Sequence, residues 1–501
     1  MMALKHSHGD MTLGWLLQEL QPVSADADRK FTDIKLDSRE VLPGDVFFAL
    51  RGIASSGEIY IEHAVAQGAV AIVADDSFNL SSLNLDIPVV QVARLNEKVG
   101  QLAHRFFQCP SDEMTLVGIT GTNGKTSVAN LLAQALAGPG KKLAASIGTL
   151  GSGVPGELVA TANTTPDAIS IQRILCDMRG RGIKSVAMEV SSHALSQYRV
   201  AGISFDIGVF TNLSQDHLDY HGDMQSYANT KKRLFEMQGM HTAVINTDDE
   251  FGRQLAAELG DSLKVYTYGL NDRAHDLAHL SGEIAVNKLG ELQVDVNGPW
   301  GNASICSRLS GSFNALNLLA GFSVLCVTGM SAKESAAALA QLQPVPGRME
   351  CFTGKDGKKI IVDYAHTPDA LEKALQGLRK IHQGKIITVA GCGGDRDSAK
   401  RPLMGEIAEK YSDTCIFTSD NPRFEEPMKI IEQMLAGTSQ PGSIEVIEDR
   451  AKAIEQAISI AGHSDAVLVA GKGHETYQEI KGVRNPFSDR QLVRELLGDV
   501  A

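Results

Sequence analysis

The sequence predicts a multidomain α/β protein, and three observations carry that reading. A glycine-rich turn, Gly121-Thr122-Asn123-Gly124-Lys125-Thr126, lies between an apolar run and a helical pattern. Beyond residue 344, short apolar runs alternate with helical patterns, as in a mostly parallel sheet with helices on both faces. At 501 residues the chain exceeds what one core usually supports, so two to four domains are expected.

Two breaks favour three domains. Phe107-Gln108-Cys109-Pro110-Ser111 interrupts the chain first, and Gln343-Pro344-Val345-Pro346-Gly347 cannot continue a helix. The expected domains are residues 1–110, 111–343 and 344–501.

Charge excludes some functions. With 47 basic against 60 acidic residues, a net charge of −13, two Trp and no basic run, the chain is a poor nucleic-acid binder. Anionic ligands must then be held by local arginines and helix ends. Seven cysteines, an odd number with no Cys-x-x-Cys pair, read as buried free thiols in a reducing compartment. The first residues lack the apolar core of a signal peptide, and no stretch reaches the apolar length of a membrane span. A cytoplasmic protein without membrane insertion is expected.

In chain order, Met114–Ile119 reads as a buried strand entering the turn Thr120–Gly124. Val128, Leu131, Leu132, Ala135 and Leu136 then recur at helix spacing. Backbone N–H groups of such a turn, with the helix dipole behind them, suit phosphates. Lys125 would reach the terminal phosphates and Thr126 would suit Mg²⁺. The usual phosphate loop has Gly where this chain has Ile119, with Gly118 one residue earlier.

Strands at Ser185–Ala187 and Ile207–Phe210 lead into Glu189 and into Asp216-His217-Leu218-Asp219. Ligands bind outside the carboxyl ends of strands in such sheets, so Glu189 and His217 read as Mg²⁺ ligands, His217 the less usual of the two. A transition-metal reading of His217-x-Asp219-x-His221 lacks a supporting third cluster. Lys231-Lys232-Arg233, taken bare, reads as a solvated helix face. Residues 278–309 alternate like antiparallel strands, a small sheet appended to the central domain.

In the last segment, strands are expected at Ile360–Val362, Ile386–Ala390, Cys415–Thr418, Ile444–Ile447 and Ala466–Ala470. Helices are expected near 368–380, 402–411, 427–437 and 450–461. Three strand ends run into Gly391–Asp397, Ser419–Arg423 and Gly471–Glu475. A parallel sheet gathers these loops at one edge, with arginines for carboxylates and acids for an ammonium, as a zwitterionic amino acid requires. The competing reading has Asp395–Arg396 and Asp420–Arg423 bracing each other at a surface.

These residues resemble the Mur ligase family. The resemblance is carried by Gly121–Thr126, Glu189-Val190-Ser191-Ser192-His193, Asn212-Leu213 with Asp216–Asp219, and Gly311-x-Phe313-Asn314-x-x-Asn317. Gly347-Arg348-Met349-Glu350, Asp363-Tyr364-Ala365-His366-x-Pro368 and Asp420-Asn421-Pro422-Arg423 complete it, the last pointing to the diaminopimelate-adding branch. The displaced first glycine of the phosphate loop is a trait of that family. The resemblance implies a UDP-binding N-terminal α/β domain, a central ATPase domain and a Rossmann-like C-terminal domain. It implies a cytoplasmic amide ligase of peptidoglycan synthesis, and so of cell shape and division. Its partners would be ATP, a UDP-N-acetylmuramoyl dipeptide and meso-diaminopimelate, with two Mg²⁺ as cofactor and a monomeric state.

Residue by residue, the resemblance assigns Gly121, Thr122, Asn123, Gly124, Lys125, Thr126, Ser127, Asn314, Asn317, Arg348 and Asp363 to ATP. Lys125, Glu189, His217 and Lys231 take catalytic roles, and Thr126, Glu189, His217 and Lys231 take the metal. Lys231 matches the lysine that CO₂ carboxylates in this family, which overturns its bare reading. The UDP substrate takes Leu36, Ser38, Ile53, Ala54, Ser55, Asn163, Thr164, Thr165, Ser191, Gln197 and Arg199. Diaminopimelate takes Arg396, Asp420, Asn421, Pro422, Arg423, Gly471 and Glu475. It differs from lysine by one carboxylate, which Arg423 can hold on two donors. Folylpolyglutamate synthase is the rival enzyme, disfavoured because that family begins near its phosphate loop. A nucleotide-hydrolysing switch or transport ATPase would not need the three loops of the last segment.

Overall fold

The computed structural model describes residues 11–52, 56–81, 83–137, 143–270, 280–286, 292–307, 309, 312–354 and 357–498. Ile53, Ala54, Ser55 and Gly311 therefore lie outside the described residues. The chain divides into two compact units.

The first unit comprises residues 1–118, 140–207 and 233–240. Its first sheet is four parallel strands, Ile34–Lys35, Val46–Ala49, Ala71–Asp75 and Val89–Val92. Val46, Phe48, Ala71 and Val73 face one core, while Phe47, Ala49, Ile72 and Ala74 face another. That is the period of two that a strand buried on both faces demands. The helix Leu95–Phe106 packs on the helix Ala168–Gly180, which Asp167 caps by accepting from the N–H groups of Ile169 and Ser170. In the same unit Ala144–Gly148 pairs parallel with Ser185–Glu189 and antiparallel with Gly151–Gly153.

The second unit comprises residues 119–139, 208–232 and 241–501. The helix Lys125–Leu136 follows the turn, and the strands Thr242–Asn246 and Lys264–Gly269 pair in parallel. Leu280–Val286, Leu292–Asn297 and Ala303–Ser307 are antiparallel to one another, as their alternation implies. They do not form a sheet of their own: Leu280–Val286 hydrogen-bonds in parallel onto Lys264–Gly269, extending the same sheet.

The C-terminal part carries a sheet in the order Glu350–Thr353, Lys359–Asp363, Ala466–Ala470, Ile386–Ala390, Thr414–Phe417, Glu445–Val446. All neighbours are parallel except the first pair. The helices between them are Pro368–Ile381, Lys400–Tyr411, Pro427–Leu435 and Arg450–Ile460. Leu371, Leu375, Met404 and Ile431 cover one face of the sheet, and Ala453, Ile454, Ala457 and Val493 the other. Each Leu, Ile, Val or Met among them contributes roughly 1.5–3 kcal/mol by leaving water, and each Ala less.

The expectation of buried thiols needs correction. Cys176, Cys326, Cys392 and Cys415 are buried, Cys109 is half-buried, and Cys306 and Cys351 are exposed. The last two occupy outward positions of alternating strands, Ala303–Ser307 and Glu350–Thr353. Among the described residues no helix is long and apolar enough to cross a membrane.

Candidate active site

The phosphate loop occupies the junction that the sequence assigned to it. Gly121 has φ +143° and Gly124 φ +87°, backbone that L side chains rarely adopt. A Cβ on Gly121 would stand 2.0 Å from Thr211 Oγ1, and one on Gly124 would stand 2.8 Å from Asn317 Oδ1. The loop is clasped from behind: Asn123 N donates to Asn212 Oδ1 at 3.0 Å, and Thr211 Oγ1 donates to Asn123 O at 2.6 Å. No side chain caps the helix Lys125–Leu136, whereas Asp249, Thr367 and Asp449 cap three other helices of this unit. An uncapped helix N-terminus behind a glycine turn suits an anion.

Lys125 Nζ donates to Gly121 O and Thr122 O, each at 2.7 Å. Lys231 Nζ donates to the same Gly121 carbonyl at 2.8 Å and lies 4.3 Å from the Tyr227 ring centroid. Lys231 is 1% exposed, on the inner face of the helix Met224–Lys232, so its bare reading as a solvated residue is wrong. Burial, then the neighbouring Lys125, holds its amine well below the ordinary lysine range. Asp216 lies nearby, its Oδ2 3.4 Å from His217 Nε2. Burial alone would raise the Asp216 carboxyl, but His217, His366, Lys400 and Lys125 leave it below its usual value.

A cavity of about 640 Å³ opens beside the loop. Asn123, Gly124, Ser127, Asn317, Arg348 and Asp363 line it, all assigned to ATP from sequence. Arg348 Nη2 donates to Thr126 Oγ1 at 2.9 Å, and its guanidinium stacks 4.4 Å from the Tyr364 ring centroid. Asp363 accepts from Met349 N at 2.7 Å and Ala365 N at 2.9 Å, fixing the turn that presents Arg348. Burial pushes the Asp363 carboxyl up, opposed by Arg348 and these backbone donors. Asn314 accepts from Asn317 Nδ2 at 3.0 Å.

At the C-terminal sheet, the three loops meet on one edge because their strands are parallel. Lys472 is fully buried and donates to Glu475 Oε2 at 2.8 Å and to Asn421 Oδ1 at 3.0 Å. Asn421 Nδ2 donates to the same Glu475 oxygen at 2.8 Å. Arg423, in left-handed backbone with φ +50°, sends Nη1 to Gly394 O at 2.7 Å. Its Nη1 would also stand 3.0 Å from a Cβ on Gly393, and Arg396 Cγ 3.9 Å from it, so both arginines border that glycine. Gly471 has φ +117°, and a Cβ there would stand 2.6 Å from Asp420 Oδ2, a buried oxygen with no hydrogen-bond partner. The competing bracing reading holds only in part: Arg396 Nη1 donates to the Asp395 backbone O at 3.1 Å, while the Asp395 carboxylate accepts from Phe424 N and Asp420 Oδ1 accepts from Asn421 N.

The remaining residues assigned from sequence belong to the first unit. Glu189 is buried, and its two oxygens accept from Thr149 N at 2.8 Å and Thr149 Oγ1 at 3.2 Å. Thr165 Oγ1 donates to Glu189 O at 2.8 Å and accepts from Ser191 N at 3.1 Å. Arg199 donates to Thr165 O at 3.0 Å and to Gln197 Oε1 at 2.6 Å, and Thr164 Oγ1 lies 3.1 Å from Thr149 Oγ1. Asn163 is exposed at the start of this turn. Leu36 and Ser38 follow the strand Ile34–Lys35, and Ser38 Oγ lies 3.0 Å from His63 Nδ1.

Family models match three stretches of the chain. Residues 30–107 match the Mur ligase family, catalytic domain; 119–325 the Mur ligase middle domain; and 347–473 the Mur ligase, glutamate ligase domain. A UDP-N-acetylmuramoyl-L-alanyl-D-glutamate–2,6-diaminopimelate ligase of Chromobacterium violaceum is 47% identical, covering 93% of this chain and 94% of that protein. The ligase of the same name from Coxiella burnetii is 44% identical over 94% and 96%. The chain belongs to the Mur ligase family. A solved structure of a diaminopimelate ligase of that description superposes with TM-score 0.68 at 34% identity, covering 97% and 99%. A MurF ligase of Thermotoga maritima in complex with ADP superposes with TM-score 0.63 at 21% identity, covering 88% and 94%, a likeness of fold. Folylpolyglutamate synthase of Mycobacterium tuberculosis shares the fold at 18% identity and TM-score 0.61, covering 79% and 94%.

As a Mur ligase, the chain has the three-domain α/β fold expected from its sequence. Several residues that sequence reasoning passed over belong to these sites. Asn246, Asp248, Tyr268 and Lys373 line the cavity, Thr149 holds Glu189, and Lys472 ties Asn421 to Glu475. Asn246 ends the strand Thr242–Asn246, so the rule that ligands gather at strand carboxyl ends could have found it. Tyr268 stands one residue before the end of the strand Lys264–Gly269, so the same rule points to it.

Proposed function

We propose that this chain is an ATP-dependent amide ligase that joins meso-2,6-diaminopimelate to the D-glutamate of UDP-N-acetylmuramoyl-L-alanyl-D-glutamate, releasing ADP and phosphate in the cytoplasmic part of peptidoglycan synthesis. The observation that carries the choice of amino acid is the Arg423–Gly394 anchor beside the Asn421–Lys472–Glu475 network. Relatives 43–47% identical that bear the diaminopimelate ligase name support it. The domain boundaries at residues 110 and 343 are part of the same reading.

A carboxylate has no adequate leaving group, so the dipeptide's terminal carboxylate attacks the γ-phosphorus of ATP and ADP departs. The amino group of diaminopimelate then attacks the acyl phosphate carbonyl, and phosphate leaves as the amide forms. Positioning and charge neutralisation supply most of the acceleration in such transfers. The loop Gly121–Gly124 and the helix behind it hold the phosphates by backbone N–H groups, and Lys125 turns from its loop carbonyls to their oxygens. Arg348 and Asp363 hold the nucleotide at the cavity, with Asn314 and Asn317.

Magnesium prefers hard oxygen donors at fixed distances. The Thr126 hydroxyl and the Glu189 carboxylate fit it, and His217 supplies a nitrogen. Lys231 as an ammonium does not fit, but carboxylation would replace its positive charge with two oxygens, and its depressed basicity leaves the amine ready for CO₂. A Mg²⁺ held by these residues would supply charge neutralisation for the transferring phosphoryl group. Thr165, Ser191, Gln197 and Arg199 hold the UDP-linked acceptor, with Leu36, Ser38 and Asn163. Arg423 and Arg396 receive carboxylates of diaminopimelate. Glu475 receives an ammonium on the oxygen that Lys472 and Asn421 leave to it.

The deciding experiment incubates the protein with ATP, the UDP-linked dipeptide and either diaminopimelate or lysine, and follows phosphate and amide product. The expected result is phosphate release that requires both acceptor and diaminopimelate, matched by tripeptide product. Release without either substrate, or equal use of lysine, would overturn the reading.

A further inference from the structure

We infer that His104, Cys109 and Asp112 form a binding site for a divalent transition metal of the zinc type, in the first unit and apart from the magnesium ligands proposed above. Their ligand atoms all lie within 4.8 Å of one another, the one such trio of His, Cys, Asp or Glu among the described residues. His104 comes from the last turn of the helix Leu95–Phe106, Cys109 from the following loop, and Asp112 from the short turn Pro110–Glu113.

The backbone sets this arrangement. Cys109 N donates to His104 O at 2.8 Å, and Asp112 N donates to Cys109 O at 3.2 Å. Gln108 and Cys109 both take left-handed backbone, φ +60° and +50°, which is uncommon for residues with a Cβ. The chain thereby turns back on the helix end and brings thiol and carboxylate to the imidazole.

A second observation comes from the far side of the ring. Gln172 is fully buried, and its Nε2 donates to Gly202 O at 3.0 Å, which fixes the orientation of the amide. Its Oε1 lies 3.4 Å from His104 Nδ1. An amide oxygen only accepts, so Nδ1 carries the proton and Nε2 presents its lone pair. That nitrogen lies 3.5 Å from Asp112 Oδ1. A hydrogen-bonded far nitrogen is the usual support of a metal-binding histidine.

The donor chemistry selects the ion. Thiolate, imidazole and carboxylate together suit Zn²⁺ or Co²⁺ better than Mg²⁺ or Ca²⁺, which prefer oxygen and do not favour a thiolate. The Asp112 side chain is 54% exposed, so the trio opens to solvent, with room for a water as fourth ligand. Burial and Asp112 push the Cys109 thiol up, opposed by Arg179 and Arg105, so in the metal-free protein the thiol keeps its proton and a bound metal would displace it. The metal would pin the end of the helix Leu95–Phe106 to the turn that leads into the strand Thr115–Thr120.

The test uses the full chain stripped by chelator, with saturating Mg²⁺ and ATP to cover the nucleotide site, and Co²⁺ as a spectroscopic probe. One equivalent of Co²⁺ should produce near-ultraviolet thiolate-to-cobalt absorption that Zn²⁺ removes. Cys109→Ser should lose the band, and Cys306→Ser, at an exposed position, should keep it. Asp112→Asn, at the surface, should weaken Co²⁺ about tenfold or more without changing the melting temperature of the metal-stripped protein. Gln172→Leu should weaken it by about 10–100-fold. No thiolate band, or a band unchanged in Cys109→Ser, would overturn the inference and leave His104–Asp112 an ordinary ion pair.

Discussion

The phosphate loop and the three loops at the C-terminal sheet occupy equivalent places, outside the carboxyl ends of strands, yet they are built oppositely. The first is one contiguous stretch whose backbone would do the binding on the proposed reading, and a Cβ at Gly121 or Gly124 would meet Thr211 or Asn317. The second draws residues from 391 to 475, and on the proposed reading its side chains bind, with Arg423, Asn421, Lys472 and Glu475 held by hydrogen bonds within the loops. Backbone recognition reads what every nucleotide shares and tolerates no substitution at its glycines. Side-chain recognition can be altered one group at a time, so the same ATP chemistry can serve different amino acids.

The largest effects should come from the shared machinery. Lys125→Ala removes the cation of the phosphate loop, and kcat should fall by about 10³-fold, measured by phosphate release. Lys231→Ala should fall comparably, because it removes a buried group at Gly121 O. Short-chain carboxylic acids should restore part of the Lys231→Ala activity and none of the Lys125→Ala activity. Absence of that rescue would count against a carboxylated Lys231.

A smaller and more selective loss should follow at the other region. Arg423→Ala leaves a substrate carboxylate without its partner, and kcat/KM for diaminopimelate should fall by about 10²-fold or more. ATP affinity, measured by calorimetry, should not change, since no atom of Arg423 lines the nucleotide cavity. Lys472→Met should raise KM for diaminopimelate several-fold, by releasing Asn421 and Glu475, at unchanged nucleotide affinity. An equal loss for ATP in either variant would merge two regions that the comparison separates.

The same contrast explains what was legible in the sequence. Strand and helix positions in the last segment followed from apolar runs, and Ile386–Ala390 and Ala466–Ala470 have the expected bounds. The phosphate loop was readable because its chemistry is local. Lys231 was misread from its own neighbourhood, since a Lys-Lys-Arg run signals solvent until tertiary packing buries one member. Lys472 and Thr149 were missed because their roles exist only when distant loops meet. The antiparallel strands after residue 280 were seen, but their continuity with the parallel sheet was not, since edge pairing leaves no mark in one strand's alternation.

The smallest expected effect concerns His366, which links the two regions within the second unit. It follows the strand Lys359–Asp363, hydrogen-bonds through Nδ1 to Tyr364 O, and faces Asp216, Lys400 and Arg348. Burial first, then Lys400, lowers its pKa to about 4, so the imidazole is neutral in the native state at neutral pH. Between about pH 4 and the ordinary histidine value near 6.5, the unfolded chain binds the proton and the native protein does not. Stability therefore falls as pH falls through that window and gains nothing from this residue above it. For His366→Gln, which cannot titrate, the loss of unfolding free energy from pH 7 to pH 5 should be smaller by about 1–2 kcal/mol than in the parent. Denaturant titrations of both proteins at the two pH values measure the difference. Equal losses would mean that His366 takes up its proton in the native state as readily as in the unfolded chain, with Asp216, after the strand Ile207–Phe210, as its carboxylate neighbour.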